Sequence, residues 1–197
     1  MLEQLSYIIA THLANKKIID SEDTDIYRFG LEVGISTMIN LLFLILTTIL
    51  FFSFIDLLIF IVFFVFLRQY SGGYHADTHI KCNAMTLLCY SLCTVCSQHF
   101  KTDLILTSIL FIVGLAMIII TAPIKNHNKT ITLNQLPKYK FAATLIFALE
   151  IIFTYILVFW DNHYSSNAFC TILCVIILMP VGIISYKRKE KKLCLNS

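Results

Sequence analysis

Apolar runs recur along this 197-residue chain from residue 33 to residue 186, broken only by short polar intervals. Runs of this kind have the length needed to cross a hydrocarbon core of about 30 Å, and a chain built from them has few alternatives to a helical bundle in a bilayer. Composition agrees. Hydrophobic residues make up 58% and charged residues 14%, where a soluble domain carries roughly a quarter charged, and the mean hydropathy is +0.80. No polar segment exceeds about 30 residues, too short for a separate soluble domain of ordinary size. The fold class read from the sequence is therefore all-α: a polytopic membrane protein of about six transmembrane helices forming one domain, 1–197. Residues 1–30 form an interfacial segment, 31–186 the bundle and 187–197 a basic tail.

The expected spans are 33–54, 57–68, 84–100, 104–122, 141–160 and 166–186, with 53–56 as the first turn and Pro180 kinking the last helix. Residues 1–30 contain Glu3 and no compact apolar core with a small-residue cleavage site, so a cleavable signal is not expected. Leu2, Leu5, Ile9 and Leu13 instead recur at helical spacing ahead of Lys16 and Lys17. This pattern fits an amphipathic helix on the membrane surface, and equally an ordinary packed N-terminal helix.

The cations orient the chain. Lys16, Lys17, Arg28, Arg68, Lys81, Lys125, Lys129, Lys138, Lys140, Lys187, Arg188, Lys189, Lys191 and Lys192 fall on one side of a six-span arrangement, and of the fifteen Lys and Arg residues only Lys101 falls on the other. The positive-inside rule then makes both termini cytoplasmic, along with the loop between the second and third spans. The seven cysteines lie mostly within spans or on that side, so reduced thiols are expected rather than a disulfide framework.

That loop is the chemical centre of the sequence. Residues 68–82 read R-Q-Y-S-G-G-Y-H-A-D-T-H-I-K-C, a polar island with His75 and Cys82 seven positions apart. On one continuous helix a seven-residue step separates them by about 10.5 Å of rise. Gly72 and Gly73 break the second helix, however, and Asp77 or Thr78 is a suitable cap for the third. His75 then sits in a loop able to fold back over the first turns of the new helix. Cys82 lies four or five residues past the cap, where the helix N-terminus favours the reactive thiolate. This supports a Cys–His nucleophilic pair, with backbone N–H groups around Gly72 and Gly73 as oxyanion donors. The same residues admit a metal site of His75, His79 and Cys82, with Asp77 as a further ligand. Replacing His79 separates the two: loss of function is expected for the metal site, little effect for the nucleophilic pair. Residues 57–70 give a second span of only about 21 Å, which would draw the 71–73 segment below the headgroups into a partly water-excluded pocket.

The pattern R-x4-G-x-H-x6-C on Arg68, Gly73, His75 and Cys82 resembles the accessory gene regulator B (AgrB) family of membrane endopeptidases, as does A-P-I-K-N-H-N-K over 122–129. The resemblance implies that Cys82 is the nucleophile and His75 the general base, later the acid, with no cofactor. It implies a Gram-positive bacterial host and a small quorum-sensing pro-peptide as substrate, with an amphipathic leader and an acidic C-terminal tail. The tail is removed and the remainder, held as a thioester on Cys82, closes into a thiolactone or lactone ring. Membrane lipid and a second copy of the chain are the other partners implied; nucleic acid is not expected. Arg68 binds the acidic tail in this reading, or serves only as a membrane-boundary anchor.

Glu150 stands in the middle of the fifth span, where a carboxyl is costly and faces the protein interior. It either hydrogen-bonds another helix or contacts the substrate or catalytic pair; Glu32 raises the same question. Cys89, Cys93 and Cys96 share a helix stripe with Cys82 and are read as small packing residues. The alternative to catalysis is a peptide exporter or transporter. Such a protein would show broken helices in both halves, whereas a Gly-Gly break occurs here once.

Overall fold

The computed structural model describes residues 2–73, 78–124 and 135–195. Among them every regular element is a helix: α1 (Leu2–Asn15), α2 (Thr24–Phe51), α3 (Phe54–Ser71), α4 (His79–His99), α5 (Leu104–Thr121), α6 (Leu136–Trp160) and α7 (Asn162–Leu195), with one short 3-10 turn at Ser21–Asp23. The six helices α2 to α7 are long and apolar enough to cross a membrane, as the apolar runs require, and the protein is a multi-pass membrane protein.

The helix ends differ from the apolar runs for local reasons. α3 begins at Phe54 because Ser53 caps it: its hydroxyl accepts from the Ile55 N–H at 3.2 Å, and the Asp56 carboxylate accepts from the Ser53 N–H at 3.3 Å. This capping box makes α3 18 residues long, about 27 Å, so the second span is not short and the case for a 71–73 segment drawn below the headgroups loses its premise. α2 starts at Thr24 rather than 33, and α4 at His79 rather than 84, because polar residues near the membrane surface continue a helix that hydropathy alone cuts off. α7 runs through Pro180 to Leu195.

The chain divides into two compact units, residues 1–47 with 76–87, and 48–75 with 88–197. In the first, α1 buries Ser6 and Ala10, with Leu2, Ile9 and Leu13 half-buried on the same stripe and Leu5 exposed, the pattern of a partly packed amphipathic helix. The N-terminal part of α2 is fixed to the first turns of α4 by paired polar side chains described below.

In the second unit α3 packs most extensively on α7, and α6 packs on α3, α5 and α7. Phe60, Leu67, Tyr90, Phe147, Ile172 and Met179 are fully enclosed there. Gly114 lets α5 close on its neighbours, since a Cβ at that position would stand 2.5 Å from the Phe147 ring and 2.6 Å from Ile176 Cδ1. Small residues and interhelical hydrogen bonds do the work that hydrophobic burial does in water. Thr48 Oγ1 and the Tyr90 hydroxyl, for instance, lie 2.8 Å apart and are wholly buried. Trp160 and Phe159 at the end of α6 are among the most exposed side chains, as expected of an interfacial aromatic belt.

Candidate functional site

Helix α3 ends where the two glycines begin. Gly72 adopts φ 78° and Gly73 φ 144°, backbone conformations that residues with a Cβ rarely adopt. The Gly72 N–H donates to the Arg68 carbonyl at 3.0 Å. That bond closes the helix, so this N–H is not available as an oxyanion donor, contrary to the expectation for the pair. The Ile124 N–H donates to the Ser71 carbonyl at 3.1 Å, and a Cβ on Gly72 would stand 3.0 Å from both the nitrogen and the oxygen of Ile124. The end of α3 and the start of the 122–129 segment are thus stitched together at Ser71, Gly72 and Ile124, two stretches far apart in sequence. The Arg68 guanidinium lies 5.1 Å above the Phe64 ring and within electrostatic reach of the Cys89 and Cys174 thiols. It is turned towards protein, which a side chain serving only as a lipid-boundary anchor would not require.

Cys82 belongs to the other unit. Thr78 caps α4: its hydroxyl accepts from the Lys81 N–H at 3.3 Å, and its carbonyl accepts from the Cys82 N–H at 3.0 Å. Cys82 is therefore the fourth residue past the cap, as the sequence indicates. Its thiol is free and the residue is half-buried. His75 lies outside the described residues, as do Lys125 and Lys129.

Two polar rungs hold this first part of α4 against α2. His79 Nε2 is 3.1 Å from Glu32 Oε1, with the carboxylate side chain 13% exposed and the imidazole 36%. One turn further on, Asn83 Nδ2 donates to the Ser36 carbonyl and hydroxyl, both at 3.2 Å. Cys82 lies between His79 and Asn83 in sequence, and residues three apart share a helix face. Reading the sequence gave His79 only as a metal ligand and Glu32 only in passing. The matching signal is the pair of i,i+4 steps, Glu32–Ser36 and His79–Asn83, on helices 47 residues apart. Among the described residues no group of three His, Cys, Asp or Glu side chains is arranged to hold a metal ion, and one nitrogen of His79 is already engaged.

The other cysteines of α4 separate from Cys82. Cys89 and Cys93 are buried and their thiols adjoin Cys174, while Cys93 Sγ also lies 3.5 Å from the Cys170 carbonyl. They pack α4 against α7 within the second unit. Glu150 is 6% exposed, and neither carboxyl oxygen meets a hydrogen-bond partner among the described residues. It lies beneath an apolar cleft between α3 and α6 of about 280 Å³, bounded by Leu58, Val62, Phe63 and Phe153.

Two AgrB-like proteins of Clostridium perfringens, from strains 13 and SM101, are 24% and 25% identical to this chain over 139 residues. The alignments cover 66% of this chain and 64% of each relative's length. No solved structure matches the chain. The family model for accessory gene regulator B matches residues 6–186, which takes in five spans whole and nearly all of the sixth, the Gly-Gly break and Cys82. This chain belongs to the accessory gene regulator B family.

Proposed function

We propose that the protein is a membrane cysteine endopeptidase that trims and cyclises a small quorum-sensing pro-peptide. The observation that carries this reading is the placement of Cys82, a free, half-buried thiol on the first turns of a capped helix that follows the Gly-Gly break.

In the proposed reaction His75 takes the Cys82 proton as Sγ attacks the carbonyl of the scissile peptide bond. The tetrahedral adduct collapses, the C–N bond breaks, and the proton passes from His75 to the departing amine of the acidic tail. The body of the peptide remains as a thioester on Cys82. An internal Cys or Ser of the peptide then attacks that carbonyl, forming the ring and returning the proton and thiol to Cys82. With an internal cysteine, one thioester replaces another, so ring closure depends mainly on holding the ends together. Exclusion of water protects the thioester from hydrolysis.

The distribution of Lys and Arg supports a cytoplasmic site with both termini on the same side, in the cell membrane of a Gram-positive bacterium. Arg68 and the basic residues before α6 are suited to an acidic tail, and the leader to the lipid surface. Homodimerisation, implied by the family resemblance, belongs to the same proposal. The decisive test is processing of a candidate pro-peptide in proteoliposomes by the wild type, Cys82→Ala and His75→Ala. The expected result is a thioester adduct on wild-type Cys82, seen by intact mass and cleared by hydroxylamine, with no tail release by Cys82→Ala. Tail release by Cys82→Ala sinks the assignment.

A further inference from the structure

The rung formed by Glu32 and His79 is more than a way to join two helices. Ser36 and Asn83 already tie α2 to α4 one turn further along, with two neutral hydrogen bonds. A carboxylate only 13% exposed at the end of a membrane helix is expensive to maintain, and apolar side chains of similar volume would hold the helices at least as well. The carboxylate–imidazole pair stands instead where the chain carries its nucleophile. His79 and Cys82 are three residues apart on α4, a spacing that brings side chains to one face about 5–6 Å apart at Cβ. In a helix the Cys82 side chain also leans back towards the N-terminus, over the turn that begins with His79.

We propose that Glu32 is a positioning residue for peptide processing: through His79 it holds an imidazole beside Cys82. The carboxylate fixes the ring by accepting from Nε2–H, which leaves Nδ1 as the nitrogen with a free lone pair. A carboxylate that orients a histidine next to a nucleophile sets both the tautomer and the direction of the ring. His75 keeps the role of base in this scheme. His79 supplies a second, fixed polar contact for the thiol or for the acyl group it carries. This reverses the expectation that His79 is dispensable to a cysteine peptidase. It rests on Cys82 being the nucleophile, and the test separates the two claims.

The test is single-turnover processing in proteoliposomes, following the Cys82 acyl-enzyme by intact mass over a range of pro-peptide concentrations. Wild type is compared with Cys82→Ala, His79→Ala, Glu32→Ala, Glu32→Asp and the exchange Glu32→His with His79→Glu. Glu32→Ala and His79→Ala are expected to slow acylation at saturating peptide by roughly 10- to 100-fold, the loss that small misplacements of reacting groups produce, with little change in the concentration giving half-maximal rate. Glu32→Asp keeps the charge without a large change of shape and is expected to recover most of the rate. The exchange variant restores a carboxylate–imidazole contact between α2 and α4 but sets a carboxylate beside Cys82. It is expected to unfold at the wild-type temperature and to remain slow. Wild-type rates in the exchange variant would reduce the pair to a tether, and wild-type rates in His79→Ala would overturn the proposal outright. Processing by Cys82→Ala removes the nucleophile reading and this inference with it. An inactive Cys82→Ala beside fully active His79→Ala and Glu32→Ala removes only the inference.

Discussion

Asp56 and Glu150 are both buried carboxyls of the second unit, 2% and 6% exposed, and their surroundings are opposite. Asp56 is the third residue of α3. It accepts from the Ser53 N–H in the capping box, from Asn167 Nδ2 at 2.9 Å, and meets His163 Nε2 at 2.9 Å. Glu150 lies in the middle of α6 and has no partner for either oxygen among the described residues. The difference follows from position along a helix. The first turn has N–H groups with no intrahelical acceptor, and a carboxylate there gains from both the bonds and the dipole. In mid-helix every backbone donor is already engaged, so a carboxyl depends on its neighbours, and those around Glu150 are Leu58, Val62, Phe63 and Phe153. Burial alone therefore says little about what a charged side chain does in a membrane bundle.

The comparison breaks first at Asp56 if it is wrong. Asp56→Ala strands His163 and Asn167 together and removes half of the capping box. The expected loss is about 3–5 kcal/mol, the range for breaking one partner out of a buried charged network, read as a lowered unfolding midpoint in detergent. Asn167→Leu leaves the carboxylate one donor short and is expected to lose about 1–3 kcal/mol. His163→Gln keeps a donor on a side chain one-third exposed, so the expected effect is smaller, about 1 kcal/mol or less. Equal losses from all three would mean that the cluster is held by packing and not by its hydrogen bonds.

The same contrast shows what the sequence makes legible. Apolar length identifies all six spans, and the Gly-Gly break and the cap at Asp77 or Thr78 are legible, because each depends on residues within a few positions of one another; the structure selects Thr78. Hydropathy assigns Asp56 to a turn and makes α3 look short, although S-F-I-D is itself a capping-box pattern. Glu150 is conspicuous in the sequence as an acid among apolar residues. Glu32 with His79, and Asp56 with His163 and Asn167, join segments 47 and more than 100 residues apart, and no local pattern announces such a pairing. Periodicity can mark which residues share a face, but not which face meets which.

Glu150 gives the smallest expected change and the sharpest test of the contrast. A carboxyl with no partner contributes nothing by hydrogen bonding and is disfavoured by its surroundings, so removing its polarity should not weaken the bundle. Glu150→Leu keeps much of the volume and fills the floor of the cleft with apolar atoms. It is expected to leave stability unchanged or to raise it by about 1 kcal/mol, as replacement of buried ionisable groups by packed apolar ones commonly does. Glu150→Gln retains an amide whose oxygen and nitrogen still require partners and is expected to fall between wild type and the leucine variant. Unfolding midpoints of the three in one detergent give the order directly. If Glu150→Leu instead loses as much as Asp56→Ala, the carboxyl has a donor outside the described residues and the two acids are alike. If it keeps its stability and loses peptide processing, Glu150 is retained for the reaction, and the missing partner is one that the substrate brings.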